Sequence, residues 1–207
     1  MPLLDPHRAY TFSEIAKLKA PTDELLAEYG YALKRTVLEL PQYSGQLDRV
    51  QERRLRLEEV LPYLDLTNEQ SRREMLIAPL MQDLIHYTRS QLRIEYAIKV
   101  SDRLQGALDY LLRAKTHLLV VEAKHEDLTN GFTQMAVELI ALDRWEKSPT
   151  VEQQPQLLGA VSTGTIWQFG LLHRQDKLVT QELTLYRVPT DLDPLTRILI
   201  AALSSEN

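Results

Sequence analysis

The sequence predicts an α/β protein in which helices flank a mixed β-sheet, preceded by an N-terminal helical hairpin. Residues 92–100 alternate apolar and polar side chains, as a half-exposed strand does. The runs ALDYLL and HLLVVEA are apolar on both faces, which is typical of central strands covered by helices. Segments before and after these strands repeat apolar residues at helical spacing. We expect residues 1–66 to form an arm and the hairpin, and residues 67–207 to form the core.

Composition places the chain among ordinary globular proteins. Its 207 residues are enough for a sizeable core, and 44% of them are hydrophobic while 26% are charged. No segment approaches the roughly 18 apolar residues of a membrane span, and the first residues lack the pattern of a signal peptide. The absence of cysteine excludes disulfides and cysteine-bound zinc. We therefore expect a cytoplasmic protein with no membrane partner.

The N-terminal part is expected to form two antiparallel helices. Apolar residues between 25 and 40 recur at helical spacing up to Pro41, with Ser13 or Thr22 as the cap, and residues 47–64 repeat the pattern. The apolar repeats are too few to specify a coiled coil, so packing on the protein's own core is favoured over a dimer contact.

The remaining elements follow from caps, prolines and alternation. Thr67 and Gln70 form a T-x-x-Q capping box, which predicts a helix over 68–87 that is kinked at Pro79. Trp167 and Phe169 are expected in the core. We further predict a helix over 130–145, strands over 157–163, 164–173 and 178–188, and a last helix starting at Pro194.

Three ionisable residues interrupt the apolar strands. Asp109 lies in the first strand, and Glu122 and Lys124 lie at the end of the second. Desolvating such groups is costly, so they are expected to pair, to bind a metal or to react. If the turn is centred between Lys115 and Thr116, cross-strand partners have numbers that add up to 231. Asp109 then stands opposite Glu122 with Cβ atoms about 5 Å apart, and Lys124 shares their face.

This group suits phosphodiester hydrolysis. Two carboxylates and a main-chain carbonyl offer the hard oxygen ligands that Mg²⁺ prefers, and Mn²⁺ is expected to substitute. Lys124 would orient the attacking water or stabilise the charge that develops on the phosphate. The five histidines show no H-E-x-x-H pattern, which argues against a zinc hydrolase.

The segment 67–170 contains a series of motifs. They are a helix with Glu74 and Pro79, G-x-x-D-Y at Gly106, Asp109 and Tyr110, E-x-K at Glu122 and Lys124, G-x-x-Q-M at Gly131, Gln134 and Met135, and VSTG-x-x-W-x-F at 161–169. Through these motifs the segment resembles the PD-(D/E)xK nuclease superfamily, and more closely the nuclease domain of type I restriction motor subunits.

The resemblance implies a restriction-endonuclease-like fold with metal ligation by Asp109 and Glu122, support from Glu74, a catalytic Lys124 and an orienting Gln134. The chain departs from the family motif where Leu108 replaces the proline before the aspartate. No G-x-x-x-x-G-K-[ST] motif of a helicase motor occurs, so we expect a nuclease module that acts without that motor.

The charge distribution bears on nucleic-acid binding. A net charge of −5 and a pI near 5.6 argue against a dedicated basic binder. Residues 86–125 are nevertheless rich in lysine and arginine, and we expect Arg103, Lys115 and His125 to contact nucleic acid. The alternative interpretation is that these residues belong to a solvated surface of mixed charge that binds no nucleic acid.

Two classes of function remain. One is a Mg²⁺-dependent endonuclease acting on DNA, which the complete set of Asp109, Glu122 and Lys124 favours. The other is a nuclease-fold protein with little or no activity that binds nucleic acid or a protein, which the acidic pI favours. The sequence leaves open DNA or RNA as substrate, the pathway, a homodimer and a targeting partner protein.

Overall fold

The computed structural model describes residues 3–124 and 126–204 of the chain. The strands are β1 (Ala32–Thr36), β2 (Gln91–Ser101), β3 (Leu104–Ala114), β4 (His117–Ala123), β5 (Gln156–Ser162), β6 (Ile166–His173), β7 (Leu178–Glu182) and β8 (Tyr186–Arg187). They form an eight-stranded mixed sheet in the order β1-β7-β6-β5-β4-β3-β2, with β8 paired to β6. Pairs β1/β7 and β4/β5 are parallel and the others are antiparallel. The predicted α/β class and mixed sheet are confirmed.

Helices cover both faces of this sheet and bury an apolar cluster on each. The α-helices are α1 (Phe12–Lys17), α2 (Thr22–Ala27), α3 (Val50–Val60), α4 (Glu69–Arg72), α5 (Ala78–Thr88), α6 (Leu128–Arg144) and α7 (Leu192–Leu203). Helices α1, α2 and α6 pack on one face, and α3, α5 and α7 pack on the other. Within the described ranges, no helix is long and apolar enough to cross a membrane.

The predicted N-terminal helical hairpin is wrong. Its first helix is replaced by the short helices α1 and α2 and by strand β1, which pairs in parallel with β7. Gly30, with φ at +77°, reverses the chain after α2 and lets it enter the sheet. Leu33 lies within β1 and has a half-buried side chain, so its place in the helical repeat was coincidental. The division at residue 66 stays a prediction, although β1 belongs to the same sheet as the core.

The helical segment after residue 68 begins where predicted, but its cap residue and its interior differ from the prediction. Its cap is Asn68, whose side chain accepts a hydrogen bond from the Ser71 N–H, so the capping box at Thr67 is wrong. Between α4 and α5 the chain forms a π-helical segment, Arg73–Ile77. Pro79 lacks an N–H and follows directly, which explains why the regular hydrogen-bond register is interrupted there.

The C-terminal half follows the prediction closely. Helix α6 and strands β5 and β6 match the predicted elements within about two residues, and Trp167 and Phe169 are fully buried. The predicted strand over 178–188 is divided into β7 and β8. The last helix, α7, begins at Leu192, two residues before Pro194.

Strand β2 does not keep one apolar face, contrary to the expected alternation. Leu92 packs in the cluster beneath α5 and α7, whereas Tyr96 packs in the cluster beneath α6. Between them Glu95 has φ at +50°, a left-handed conformation that breaks the alternation, and Ile94 remains 55% exposed. The irregularity brings Glu95 to the cleft described below.

The side chain of Arg174 forms hydrogen bonds with helix α6 and with the loop between α6 and β5. The guanidinium is buried, and its Nε donates to Asp143 Oδ1 at 2.6 Å. Its Nη1 also donates to three main-chain carbonyl oxygens, at 2.9 to 3.1 Å, which belong to Pro149, Thr150 and Gln154.

Arg174→Met is expected to lower the free energy of unfolding by about 3–5 kcal/mol, because it leaves Asp143 Oδ1 and several main-chain carbonyls without their donor. Chemical denaturation measures this loss. Arg56→Met is the matched control, since Arg56 pairs with Glu52 on the surface, and we expect a change below about 0.5 kcal/mol. Equal losses of unfolding free energy in the two variants would contradict the stabilising role of Arg174.

Candidate active site

A cleft of about 340 Å³ opens at the carboxyl end of β4, on the face of the sheet covered by α6. Because β4 lies between β3 and β5, side chains at its end are held from both sides. The residues that line the cleft come from six helices and strands, from the π-helical segment and from the loops beside them. They are Thr11, Phe12, Ser13, Glu69, Arg73, Glu95, Gly106, Ala107, Asp109, Glu122, Lys124 and Gln134.

The predicted register of the β3–β4 hairpin is confirmed. Paired residues run from Ala114 with His117 to Tyr110 with Val121, and their numbers add up to 231 throughout. One step further, Asp109 Oδ2 accepts a hydrogen bond from the Ala123 N–H at 2.8 Å. The carboxylate of Asp109 therefore reaches across to the end of β4, beside Glu122.

Lys124 joins the strand end to helix α6. Its Nζ forms an ion pair with Glu122 Oε1 at 2.5 Å and donates to Gln134 Oε1 at 3.1 Å. Gly131 makes this approach possible, because a Cβ at that position would lie 2.7 Å from Lys124 Cγ and 2.6 Å from Val161 Cγ2. The lysine side chain is 22% exposed, so its ammonium reaches the cleft.

A second cationic group approaches Asp109 from the opposite side. Arg73 Nη1 lies 2.6 Å from Glu95 Oε1 and 3.6 Å from Asp109 Oδ1, and the guanidinium lies over the ring of Tyr110. Sequence patterns did not single out Arg73 or Glu95. Their meeting depends on the π-helical segment and on the irregularity in β2, for which the sequence shows no local signal.

Burial changes the protonation of the acidic groups. The pKa of Glu122 is raised to about 8 by burial and by the nearby Asp109 charge, against the opposing effect of Lys124. Burial also raises the pKa of Asp109, although the Ala123 N–H and Arg73 oppose the shift. Burial and the Glu122 charge raise the pKa of Glu138 well above its usual range. For Lys124, burial acts to lower the pKa, but the charge of Glu122 outweighs it and the pKa is raised.

The residues present fit a hard divalent cation. Both carboxyl oxygens of Glu122 are buried, and Oε1 is paired with the Lys124 ammonium at 2.5 Å. Asp109 adds a second carboxylate beside them, and oxygen donors of this kind suit Mg²⁺ or Mn²⁺. Over residues 3–124 and 126–204, no cluster of three or more histidine, cysteine, aspartate or glutamate side chains able to hold a metal is formed.

Several predicted site residues lie elsewhere. Glu74 is exposed on the π-helical segment, where its Oε1 accepts from Gln70, and it does not line the cleft. Glu69 on α4 supplies the helix carboxylate there instead. Arg103 and Lys115 lie in turns at opposite ends of β3, roughly 30 Å or more apart. Neither residue lines the cleft. His125 lies outside the described residues.

The raised pKa of Glu122 predicts how stability depends on pH. In metal-free protein, its contribution to stability is complete below the usual pKa of 4.5 and is lost as pH rises through about 8. We therefore expect the melting temperature of Glu122→Gln to exceed that of the wild type by an amount that grows over this interval. Glu58→Gln, which changes an exposed carboxylate, should show a constant difference. A difference for Glu122→Gln that stays constant or shrinks would contradict the prediction.

Comparisons with known proteins do not assign a function to this chain. No protein-family model matches the chain, and no curated protein matches it. Among solved structures, the chain is similar to a cryo-EM structure of a DrdV–DNA complex, with 14% identity and a TM-score of 0.48 over 78% of this chain. The present chain spans only 14% of the length of the matched chain in the DrdV–DNA complex.

Proposed function

We propose that this protein is a metal-dependent endonuclease with a restriction-endonuclease-like fold that hydrolyses phosphodiester bonds in DNA. The observation that carries the proposal is the meeting of Asp109, Glu122, Lys124 and Gln134 at the end of a central strand. The motif resemblance names the same four residues. The carboxyl groups of Asp109 and Glu122, which both line the cleft, further support a site that takes up a cation.

Asp109 and Glu122 would hold Mg²⁺, with Mn²⁺ able to substitute. The ion supplies positive charge at the scissile phosphate and makes a bound water more acidic. Glu69 is a candidate for the supporting role that the resemblance had given to Glu74, because Glu69 is the one of the two that lines the cleft.

Lys124 supplies a fixed cation beside these carboxylates. Its ammonium carries three hydrogens, of which Gln134 accepts one. The others can point to Glu122 and to a water or phosphate oxygen in the cleft. Lys124 can therefore hold the attacking water and stabilise the charge that develops on the phosphate. Arg73, on the far side of Asp109, is placed to balance the acidic groups and to attract the substrate backbone.

One feature favours a second candidate function. The chain has a net charge of −5, which is unusual for a protein that finds DNA by itself. A nuclease-fold protein that binds nucleic acid or a protein partner without cleavage agrees with that charge. If the protein does cleave, its acidic surface suggests that a partner protein delivers it or that a homodimer forms to cut both strands.

The deciding experiment incubates the protein with supercoiled DNA, linear DNA and RNA, in Mg²⁺, in Mn²⁺ and in EDTA. We expect DNA cleavage that EDTA and Asp109→Asn both abolish. Asp176→Asn is the matched control, because Asp176 is an exposed aspartate in the β6–β7 turn at the other end of the sheet. No cleavage of any substrate by the wild type, or equal cleavage by Asp109→Asn, would refute the enzyme and favour the binding module.

A further inference from the structure

Glu138 is a buried acid at the site to which neither the sequence motifs nor the proposed chemistry gives a role. It lies on α6 one turn after Gln134, so the two side chains share one face of the helix. Glu138 is 0% exposed and Gln134 is 5% exposed. A carboxyl group at this depth is costly, and an apolar side chain of similar size would be expected to stabilise the fold.

Its contacts point to Gln134 and to Glu122. Glu138 Oε1 accepts a hydrogen bond from Gln134 Nε2 at 3.0 Å. The other oxygen, Oε2, is buried, and the carboxyl group of Glu138 also interacts with the carboxyl group of Glu122. Glu138 thus ends a chain of contacts that runs through Gln134 to Lys124 and back to Glu122.

The amide of Gln134 works in this chain in only one orientation. Lys124 Nζ can only donate, so Gln134 must present its oxygen to it. An amide turned by 180° would instead direct its NH₂ group at the ammonium, donor against donor. The Glu138 oxygen that faces Gln134 accepts a hydrogen bond, so it holds the NH₂ group on its own side and the amide oxygen on the side of Lys124.

We propose that Glu138 is a positioning residue that fixes the amide orientation of Gln134 and, through it, the place of the Lys124 ammonium beside Glu122. It does not touch the substrate. The structural part of this inference stands without enzymatic activity, whereas its effect on cleavage rests on the proposed function.

The first test observes the amide itself. In metal-free protein, the side-chain NH₂ signal of Gln134 is identified by its loss in Gln134→Leu, and its hydrogen exchange is measured by NMR. We expect protected exchange in the wild type and at least about tenfold faster exchange in Glu138→Leu. Glu138→Gln should retain protection, because its amide oxygen can accept from Gln134 while its NH₂ group faces Glu122.

Thr133→Val is the matched control for this measurement. Thr133 is the buried neighbour of Gln134 on α6, and its hydroxyl bonds to Thr22 on the other side of the helix. We expect this variant to leave the Gln134 signal protected. Unchanged exchange in Glu138→Leu, or equal acceleration in Thr133→Val, would overturn the positioning role.

The second test separates positioning from metal ligation. We expect Glu138→Leu to lower kcat about tenfold or more, as the loss of an orienting partner does, with Mn²⁺ affinity unchanged within about twofold. In a Gln134→Leu background, Glu138→Leu should have no further effect on kcat. In the otherwise wild-type protein, Glu138→Gln should retain most of the wild-type kcat. Loss of Mn²⁺ binding, or an undiminished effect in that background, would refute the inference. If the wild type cleaves nothing, the proposed function fails, while the exchange measurement still decides the role of Glu138.

Discussion

Lys124→Met is expected to lower metal-dependent DNA cleavage by about 100-fold to 1,000-fold while leaving Mn²⁺ affinity nearly unchanged. The ammonium lies beside Glu122 and reaches the cleft, so its loss removes a preorganised charge at the reacting phosphate. Methionine keeps the length of the apolar side chain that passes Gly131, so the helix contact should survive. Cleavage rates at saturating Mn²⁺ and calorimetric Mn²⁺ titration measure the two effects separately.

Lys34→Met is the control for this change, because Lys34 is exposed on the edge strand β1 and does not line the cleft. It should cleave at the rate of the wild type. If Lys124→Met retained full cleavage, Lys124 would only neutralise the buried carboxylates and would have no catalytic part.

Glu122→Gln is expected to lose both metal binding and cleavage. The substitution keeps the shape of the side chain but removes the charge and one oxygen, and a direct ligand should cost more than the 10-fold to 100-fold typical of an outer partner. We therefore expect Mn²⁺ affinity to fall more than about 100-fold and cleavage to become undetectable. The folded protein should survive, because a neutral side chain suits this buried position better than a carboxylate.

The contrast between these two variants tests the division of roles. Glu58→Gln is the control, because Glu58 is an exposed glutamate on α3, and this variant should retain Mn²⁺ affinity and cleavage. If Glu122→Gln bound Mn²⁺ as tightly as the wild type, the cation site would have to lie elsewhere. If Lys124→Met lost Mn²⁺ binding to the same degree, the lysine would be needed to form the site and not only to act in it.

The local part of the candidate site was predictable. A tight turn fixes the register of the strands beside it, so the pairing as far as Tyr110 and Val121 followed from counting outward from Lys115 and Thr116. The pairing of Lys124 with Glu122 followed from alternation along β4. The place of Gln134 at this cleft came from the motif resemblance, because the sequence by itself marks it only as a residue near the apolar stripe of α6.

The identity of the helix carboxylate shows where prediction stopped. Glu69 and Glu74 are both acidic residues of one helical segment, and sequence spacing cannot decide which of them faces the sheet. The π-helical segment before Pro79 changes the rotation of the turns on either side. Glu69 then lines the cleft, and Glu74 faces solvent.

By itself the sequence determined the α/β class, the central hairpin and its charged end, because the apolar pattern of a strand and the length of a turn act over a few residues. Only the tertiary structure decided that β1 is a strand, that Arg73 and Glu95 reach Asp109, and that Glu138 is buried behind Gln134. Each of these outcomes depends on partners distant in the chain, for example on β7, which lies more than 140 residues after β1. Pairing and desolvation across such distances outweigh local propensity.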